Sequence, residues 1–526
     1  MINAASLADH LRAAARQHPD GLALAHAGQA WTFAALLADS QQLASRLAAV
    51  DGIVTGAGDS LTLARLAYAS SLRNWPFFPV DRSKRENAAD DGHAPYAAPG
   101  TAVPPASGSA PATADPALII ATSGSEGEPR RVQLGNAQLD AAAAAANHRL
   151  GLGRGDLWLN CLPLAHIGGL SILWRCARAA AGMLLHDGFD TARLGADLAI
   201  HPVTHISLVP AMLARLLAAG VAPPPTLRVA LIGGAALSTT LYQQAMAAGW
   251  PLHVSYGMSE TAALIACHGP ADGPWHEGLV GRLLPGHELR LAAGGRISLR
   301  GPQVMPGYAD GSGIDDGWLT TGDLGAVDAA GRLSVLGRAD DMLVSGGHNI
   351  HPQAVESCLA ACPGVADIAV TGQPDPVWGD LVVALVAGPV APADLLVYAR
   401  HHLPSAAVPR RIVAVDRLPR TAAGKLQRAA LRQLAAKATT DDPAAGQKPS
   451  VAARPSPAPS PAPSPAPSPA PSSAPSPAPS SAPSSAPSSA PLPAPQAAAR
   501  PAAQPAARPA ARPAPQPPER TAGARR

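Results

Sequence analysis

No uninterrupted apolar run in the 526 residues approaches the roughly 18 needed to cross a bilayer as a helix. The expectation is a chain without a membrane span. The N-terminus, Met1-Ile2-Asn3-Ala4-Ala5, has no basic stretch leading into an apolar core, so no secretory leader is expected. Charge of one sign is scarce: the net charge of +3 is too small to argue for nucleic acid or a membrane surface as partner. Several arginines of that total lie near the C-terminus, which leaves the rest of the chain near neutral. Cysteine is sparse too. Cys161, Cys176, Cys267, Cys358 and Cys362 are odd in number, and no two stand at C-x-x-C spacing. That speaks against a zinc site or a disulfide framework and for reduced thiols in a cytoplasmic protein.

What is present is not uniform. Up to about Ala436 the chain mixes apolar, polar and Gly residues as a globular protein does, with length for two or three domains. From Lys437 onward it turns into Ala/Pro/Ser repeats, Ser-Pro-Ala-Pro over much of the way, a composition that favours polyproline II and disorder. Strand and helix patterns alternate through the front. Leu7–Arg16 and Thr32–Ala49 read as amphipathic helices, with Gly21–His26 a short strand between them. Ile53–Val54, Leu61–Ser71 and Phe77–Val80 read as strand, helix and strand, and 83–115 as a loop. Such alternation argues for an α/β domain.

One stretch organises the rest: Ala121-Thr122-Ser123-Gly124-Ser125-Glu126-Gly127-Glu128-Pro129-Arg130-Arg131-Val132. It follows the apolar run Ala117–Ile120, which reads as a strand, and precedes an Ala-rich helix from Asn136. Small residues and hydroxyls there suit a loop that wraps an anion, since Gly lets backbone N–H groups approach and Ser/Thr add donors. Arg130 and Arg131 add positive charge. Taken alone, the stretch also suits an ordinary surface turn. Later, Trp158–Leu170 reads as a strand running into a turn at His166, and Val203–Pro210 as a strand before helix Ala211–Ala219. Strand Leu227–Ile232 opens into Gly233-Gly234-Ala235, leaving room for a flat ring against the backbone. Ser255–Thr261, Gly301–Tyr308, Trp318–Gly325 and Val335–Asp341 follow. Near the end come Val344–Ile350, a helix opening at Pro352, strands at Ile368–Thr371 and Leu381–Val386, and Leu418-Pro419-Arg420-Thr421-Ala422-Ala423-Gly424-Lys425.

In that order these segments resemble the signatures of the adenylate-forming superfamily of acyl- and aryl-CoA ligases, luciferases and peptide-synthetase adenylation domains, over roughly residues 20–436. Within it, Leu162–Arg175, Ser207–Leu217 and Leu343–Ile350 are similar to the o-succinylbenzoate–CoA ligase type. The resemblance implies a large N-terminal AMP-binding domain of α/β layers (1–339), a small mobile α+β lid domain (340–436) and a disordered Pro-rich tail (437–526). It implies that Thr122, Ser123, Gly124, Ser125 and Gly127 hold ATP phosphates, and that Gly233, Gly234 and Ala235 touch adenine. Tyr256, followed by Gly257, would offer a stacking face, Glu260 a hard oxygen for Mg²⁺, and Asp323 an acceptor for both ribose hydroxyls. Arg338 would reach the ribose or α-phosphate. Asp340 falls at the hinge, Gly346 and Gly347 on the thiol tunnel, and Lys425 at the catalytic position, with His166 beside the acyl pocket as a second catalytic residue that would gate the pocket or meet the substrate carboxylate.

The activity so implied is an ATP-dependent acid–thiol ligase. A carboxylate attacks the α-phosphate, pyrophosphate leaves, and a thiol then takes the acyl group; the lid rotates between the two steps so that the Gly346 loop replaces the Lys425 loop. The acid is expected to be aromatic and o-succinylbenzoate-like, with CoA as acceptor. A carrier-protein phosphopantetheine presents the same thiol arm and stays open as the alternative, and a degenerate nucleotide-binding scaffold is the reading from another class. Glu126 and Arg130 replace the usual Thr and Lys. A carboxylate inside a triphosphate loop repels the ligand unless Arg130 or Arg131 pairs it, or unless it turns away to cap the following helix. The expectation is an activity that survives with a changed ATP affinity.

Overall fold

The structure, a computed structural model, describes residues 4–47, 52–80, 116–122, 130–308, 312–421 and 426–440. The first helix, Leu7–Gln17, starts where Ser6 Oγ accepts from Asp9 N and the Asp9 carboxylate accepts from Ser6 N. It buries Leu7 and Leu11. Helix Phe33–Arg46 is capped by Thr32 and helix Ser60–Leu72 by Asp59.

The main sheet begins at one edge with Gln29–Thr32 antiparallel to Leu22–His26, a hairpin strand that apolar patterning alone did not separate from the helix after it. It continues through Gly182–Leu185, Leu157–Asn160, His205–Leu208, Val229–Ile232 and Leu252–Met258, all parallel. Helices such as Ile167–Ala179 and Pro210–Ala218 supply the crossovers. The four middle strands up to Ile232 are buried at every position, which is why they read as short apolar runs rather than alternating ones. Beyond Met258 the sheet becomes antiparallel, through Ala263–His268, Leu279–Leu283, Leu333–Arg338, Trp318–Val327, Arg296–Arg300 and Glu288–Leu291.

A second, four-stranded sheet joins Val54–Gly56, Phe77–Pro79 and Leu118–Thr122 in parallel, with Arg130–Leu134 antiparallel to the last. Here the structure corrects the expectation of a strand–loop–helix. Arg130, Arg131 and Val132 belong to a strand, and helix Asn136–Leu150 begins only after it. The Gly135 N–H at its start is taken by Gln138 Oε1 at 3.1 Å. The helix that Glu126 was to cap is therefore separated from it by a whole strand. Another refinement concerns Trp158–Leu170: the turn ends at His166, and Ile167 already opens a helix.

The third sheet, from Leu343 onward, orders His348–Ile350, Leu343–Ser345, Gly379–Ala387 and Asp367–Asp375, with Arg411–Ala414 parallel to Gly379–Ala387. Its faces follow the two-residue strand period. Ile368, Val370, Val382, Ala384 and Val386 pack with Val355 and Leu359 of helix Pro352–Ala360 and Leu395 and Ala399 of helix Pro392–His402. Ala369, Val383 and Leu385 pack on the other side with Leu431 and Ala435 of helix Arg428–Thr440. That helix continues through Lys437 to Thr440, past the point where the composition changes. A separate core spans Leu7 to Leu333. The result is a large α/β domain with a smaller α+β domain after it. Among the described residues, no helix is long and apolar enough to cross a membrane.

All five cysteines are free. Burial pushes the thiols of Cys161, Cys176 and Cys267 up to about 12, so these three are packing groups rather than nucleophiles.

Candidate active site

The antiparallel pairing of Trp318–Val327 with Leu333–Arg338 sets Asp323 directly opposite Arg338. Arg338 Nη1 lies 3.6 Å from Asp323 Oδ1, and its Nη2 lies 2.8 Å from Asp340 Oδ2. Arg296 Nη2 approaches Asp340 Oδ1 at 3.8 Å. Burial works against the charge on Arg338, but Asp340, Asp323 and Asp341 more than offset it and raise its pKa above the usual value. Gly322 lets the guanidinium lie close: a Cβ at that position would sit 2.5 Å from Arg338 Nη2. Across the site, the Tyr256 hydroxyl donates to Asp323 Oδ2 at 2.7 Å. Burial first, and then the Asp323 carboxylate, push the Tyr256 pKa well up, so it stays a hydrogen-bond donor. Asp323 Oδ1 remains beside the Arg338 guanidinium, where a carboxylate oxygen can accept further hydroxyls.

Glu260 stands on a single 3-10 turn, Ser259–Thr261. Its Oε1 accepts the Tyr308 hydroxyl at 2.7 Å. Tyr308 lies under the Arg130 guanidinium, 4.1 Å from ring centroid to Cζ, and Arg130 Nη2 also donates to Ser312 Oγ at 2.9 Å. Arg131 instead covers Phe78 at 5.4 Å. Thr122 Oγ1 donates to the Arg130 carbonyl at 3.0 Å across the hairpin's end. Of the residues expected to hold phosphates, Ser123, Gly124, Ser125 and Gly127, together with Glu126, lie outside the described residues, as does Lys425. The residues flanking Lys425 are held: Arg420 bridges to Leu426 in antiparallel fashion and binds Asp367 with Nη2 at 2.8 Å.

Among the described residues no three His, Cys, Asp or Glu side chains cluster as metal ligands. A lone hard carboxylate such as Glu260 would still suit Mg²⁺, because that ion keeps waters and phosphate oxygens and takes one or two carboxylates from the protein.

Two glycines expected to touch nucleotide have packing reasons of their own. Gly233 faces Ser255, whose Oγ would be 2.7 Å from an added Cβ and which donates to the Ile232 carbonyl. Gly257 backs onto the Ala263 carbonyl, 1.8 Å from where a Cβ would be. Gly234, at φ +79, and Ala235 are exposed just past their strand. His166 stands at the N-cap of helix Ile167–Ala179, its carbonyl accepting from Gly169 and Leu170. Gly346 and Gly347 turn the small-domain hairpin at φ +57 and +79, and Gly346 N donates to the Trp378 carbonyl at 2.8 Å. The structure thus brings Tyr256, Asp323, Arg338 and Asp340 together, and Thr122 through Arg130 and Tyr308 to Glu260. The contacts just given for His166 stay within its own helix start, and that of Gly346 within the small domain. Sequence reading missed roles for Tyr308, Arg296 and Ser312; no spacing signal points to contacts between segments this far apart.

A large α/β domain carrying this Tyr–Asp–Arg set and a lone carboxylate, followed by a small α+β domain, defines a nucleotide-using, adenylate-forming enzyme. The chain belongs to the AMP-binding enzyme family: residues 72–309 match the AMP-binding enzyme model, and 354–425 match that of the AMP-binding enzyme C-terminal domain. It is 36% identical to a 2-succinylbenzoate–CoA ligase of Bacillus velezensis over 338 residues, 61% of this chain and 69% of that protein. The 2-succinylbenzoate–CoA ligase of Bacillus subtilis is likewise 36% identical, over 60% of this chain and 68% of its own. Among solved structures, o-succinylbenzoate coenzyme A synthetase from Bacillus subtilis, in complex with ATP and magnesium, superposes with a TM-score of 0.70 at 28% identity, covering 80% of this chain and 99% of that one. The same enzyme with its acyl-adenylate intermediate gives the same TM-score and identity, with coverage of 80% and 97%.

Proposed function

We propose that this protein joins a carboxylic acid to AMP with ATP and Mg²⁺, then transfers the acyl group to the thiol of coenzyme A, and that its acid is o-succinylbenzoate or a close aromatic relative. The observation that carries the reading is the contact set in which Tyr256 and Arg338 flank the two oxygens of Asp323 while Arg338 also holds Asp340. The names of the relatives support the choice of acid and acceptor.

In this reading Asp323 accepts the ribose hydroxyls through the oxygen beside Arg338. Arg338 neutralises charge near the α-phosphate. Glu260 would hold Mg²⁺, which screens the triphosphate when bound. Thr122 and the Ser123–Gly127 stretch cradle the phosphates, and Lys425 meets the carboxylate and α-phosphate as charge develops. Catalysis of this kind is mainly positioning and electrostatic stabilisation. Gly233–Ala235 line the adenine side, and His166 the acyl side. We place the domain boundary at Asp340, with 340–436 rotating as a lid that exchanges Lys425 for Gly346 and Gly347. The Arg338 and Arg296 contacts to Asp340 tie the hinge residue to the large domain, while Asp341 faces Arg428 of the small one at 3.5 Å. The free cysteines support a reducing, cytoplasmic compartment.

The test is ATP–pyrophosphate exchange over a panel of acids that includes benzoates and o-succinylbenzoate, followed by offering the preformed adenylate to CoA and to a phosphopantetheinyl carrier protein. Acid-dependent exchange, strongest with o-succinylbenzoate, and thioester formed on CoA are expected. Absence of exchange with every acid overturns the reading, and preference for the carrier replaces the acceptor.

A further inference from the structure

The turn that bears Glu260 is anchored by several hydrogen bonds. Its carbonyl accepts from Met305 N at 2.8 Å, and Gln303 Nε2 donates to the carbonyls of Thr261 and Leu264 at 2.6 and 2.7 Å. Gln303 and Met305 are buried, so the turn bearing Glu260 is hydrogen-bonded to a packed stretch. The same stretch ends in Tyr308. Its ring has Arg130 over it at 4.1 Å, and the backbone of Gly313 lies so close that a Cβ there would be 2.6 Å from Tyr308 Cδ2. Its main chain bridges Val132, and its N–H donates to the Ser312 carbonyl at 2.9 Å. A ring so held has little freedom, and its hydroxyl points at Glu260 Oε1.

We infer that Tyr308 is a positioning residue for the Glu260 carboxylate, holding one oxygen so that the other is presented to the divalent ion carried by the nucleotide. The inference rests on the reading of Glu260 as the metal carboxylate. A free glutamate side chain has several rotors to freeze when it binds a cation. Holding one oxygen beforehand removes that cost from the binding step. The hydroxyl leaves the charge of Glu260 in place, and a carboxylate has lone pairs for both partners. Tyr308 also joins the two halves of the phosphate site, because it touches the strand leaving the phosphate loop through Arg130 and Val132, and the carboxylate through its hydroxyl.

The experiment compares the full chain with Tyr308→Phe and Glu260→Gln. Mn²⁺ binding is read from the loss of the free-ion EPR signal in the presence of a non-hydrolysable ATP analogue. Tyr308→Phe keeps the ring and its stacking and removes only the hydroxyl. It is expected to weaken Mn²⁺ binding by about tenfold, the size of one hydrogen bond to a charged group. The Mg²⁺ concentration for half-maximal pyrophosphate exchange should rise by a similar factor, with a smaller change in the plateau and an unshifted thermal midpoint. Glu260→Gln should weaken Mn²⁺ binding further. Wild-type Mn²⁺ affinity in Tyr308→Phe, with binding lost in Glu260→Gln, overturns the positioning role and leaves the reading of Glu260 standing. A lowered melting midpoint with unchanged Mn²⁺ affinity also overturns it, as a purely structural role. Unchanged binding in Glu260→Gln removes the metal reading and this inference with it.

Discussion

Replacing Gly257 by Ala puts the strongest geometric demand on the site. An ideal Cβ there lies 1.8 Å from the Ala263 carbonyl oxygen, 2.5 Å from its carbon and 3.0 Å from Leu264 Cα. Contact at van der Waals distance is short by about 1.5 Å. The obstacle is the backbone of the paired strand, not a flexible side-chain tip, so strands Leu252–Met258 and Ala263–His268 must separate where their register already shifts between Tyr256 and Gly257. Overpacking of this kind costs about 1–3 kcal/mol, and a backbone obstacle puts it at the upper end. At about 2–4 °C per kcal/mol for domains of a few hundred residues, the thermal midpoint should drop by about 6–12 °C. Tyr256 and Glu260 flank the strained point, so pyrophosphate exchange should fall at least about tenfold even well below the transition. Ala263→Gly is the companion. Ala263 sits at φ +84 and Ala262 at φ +49, conformations that cost an L-residue about 1–2 kcal/mol. Glycine at position 263 removes that strain against a smaller entropic cost, so the midpoint should hold or rise. Scanning calorimetry and exchange assays on both variants check this. A Gly257→Ala protein that melts within about 2 °C of wild type and exchanges at the wild-type rate refutes the reasoning.

Arg338→Gln should leave stability within about 1 kcal/mol, because its partner Asp340 and Arg338 itself are 42% and 43% exposed, while raising the KM for ATP in steady-state assays. Gly322→Ala should move KM the same way by less, since its Cβ displaces only the guanidinium tip. Lys425→Ala should slow adenylate formation by about 10²–10³ while sparing thioester formation from supplied acyl-adenylate, as single-turnover assays of the two half-reactions will show. Glu126→Thr should change the KM for ATP; an unchanged value means that side chain stands outside the site. Burial lowers the pKa of His186, His205, His253 and His268. The unfolded chain therefore takes up protons first as pH falls below the ordinary 6.5 of histidine. Stability is full above that value and is lost as pH drops through the lower folded values. The urea midpoint should accordingly fall between about pH 7.5 and 5.5, and a flat profile would contradict it.

Strands at Ile368 to Thr371 and at Leu381 to Val386 were readable in the chain, because a sheet with helices on both faces demands near-continuous apolar residues. Helix starts at Ser60 and Pro352 were readable to within a residue, since capping and Pro at the first turn are local effects. Strand Arg130–Leu134 was not, because its two arginines resemble loop residues until Tyr308 and Phe78 are seen beneath them. The glycine at 257 was visible as a motif position, but its reason, a carbonyl from the next strand, was not.

What the sequence alone determined is the inventory: the order of most strands and helices, the small-residue and hydroxyl stretch, and the Tyr, Glu, Asp, Arg and Lys that the proposed chemistry would use. Those follow from neighbours a few residues apart. What the tertiary structure decided is who holds whom. Tyr256 reaches Asp323 across 67 residues and Tyr308 reaches Glu260 across 48, and Asp323 meets Arg338 only because two antiparallel strands pair in that register. Hydrogen bonds act over about 3 Å in space and leave no periodic trace along the chain, so such partnerships exist only once the sheets have closed.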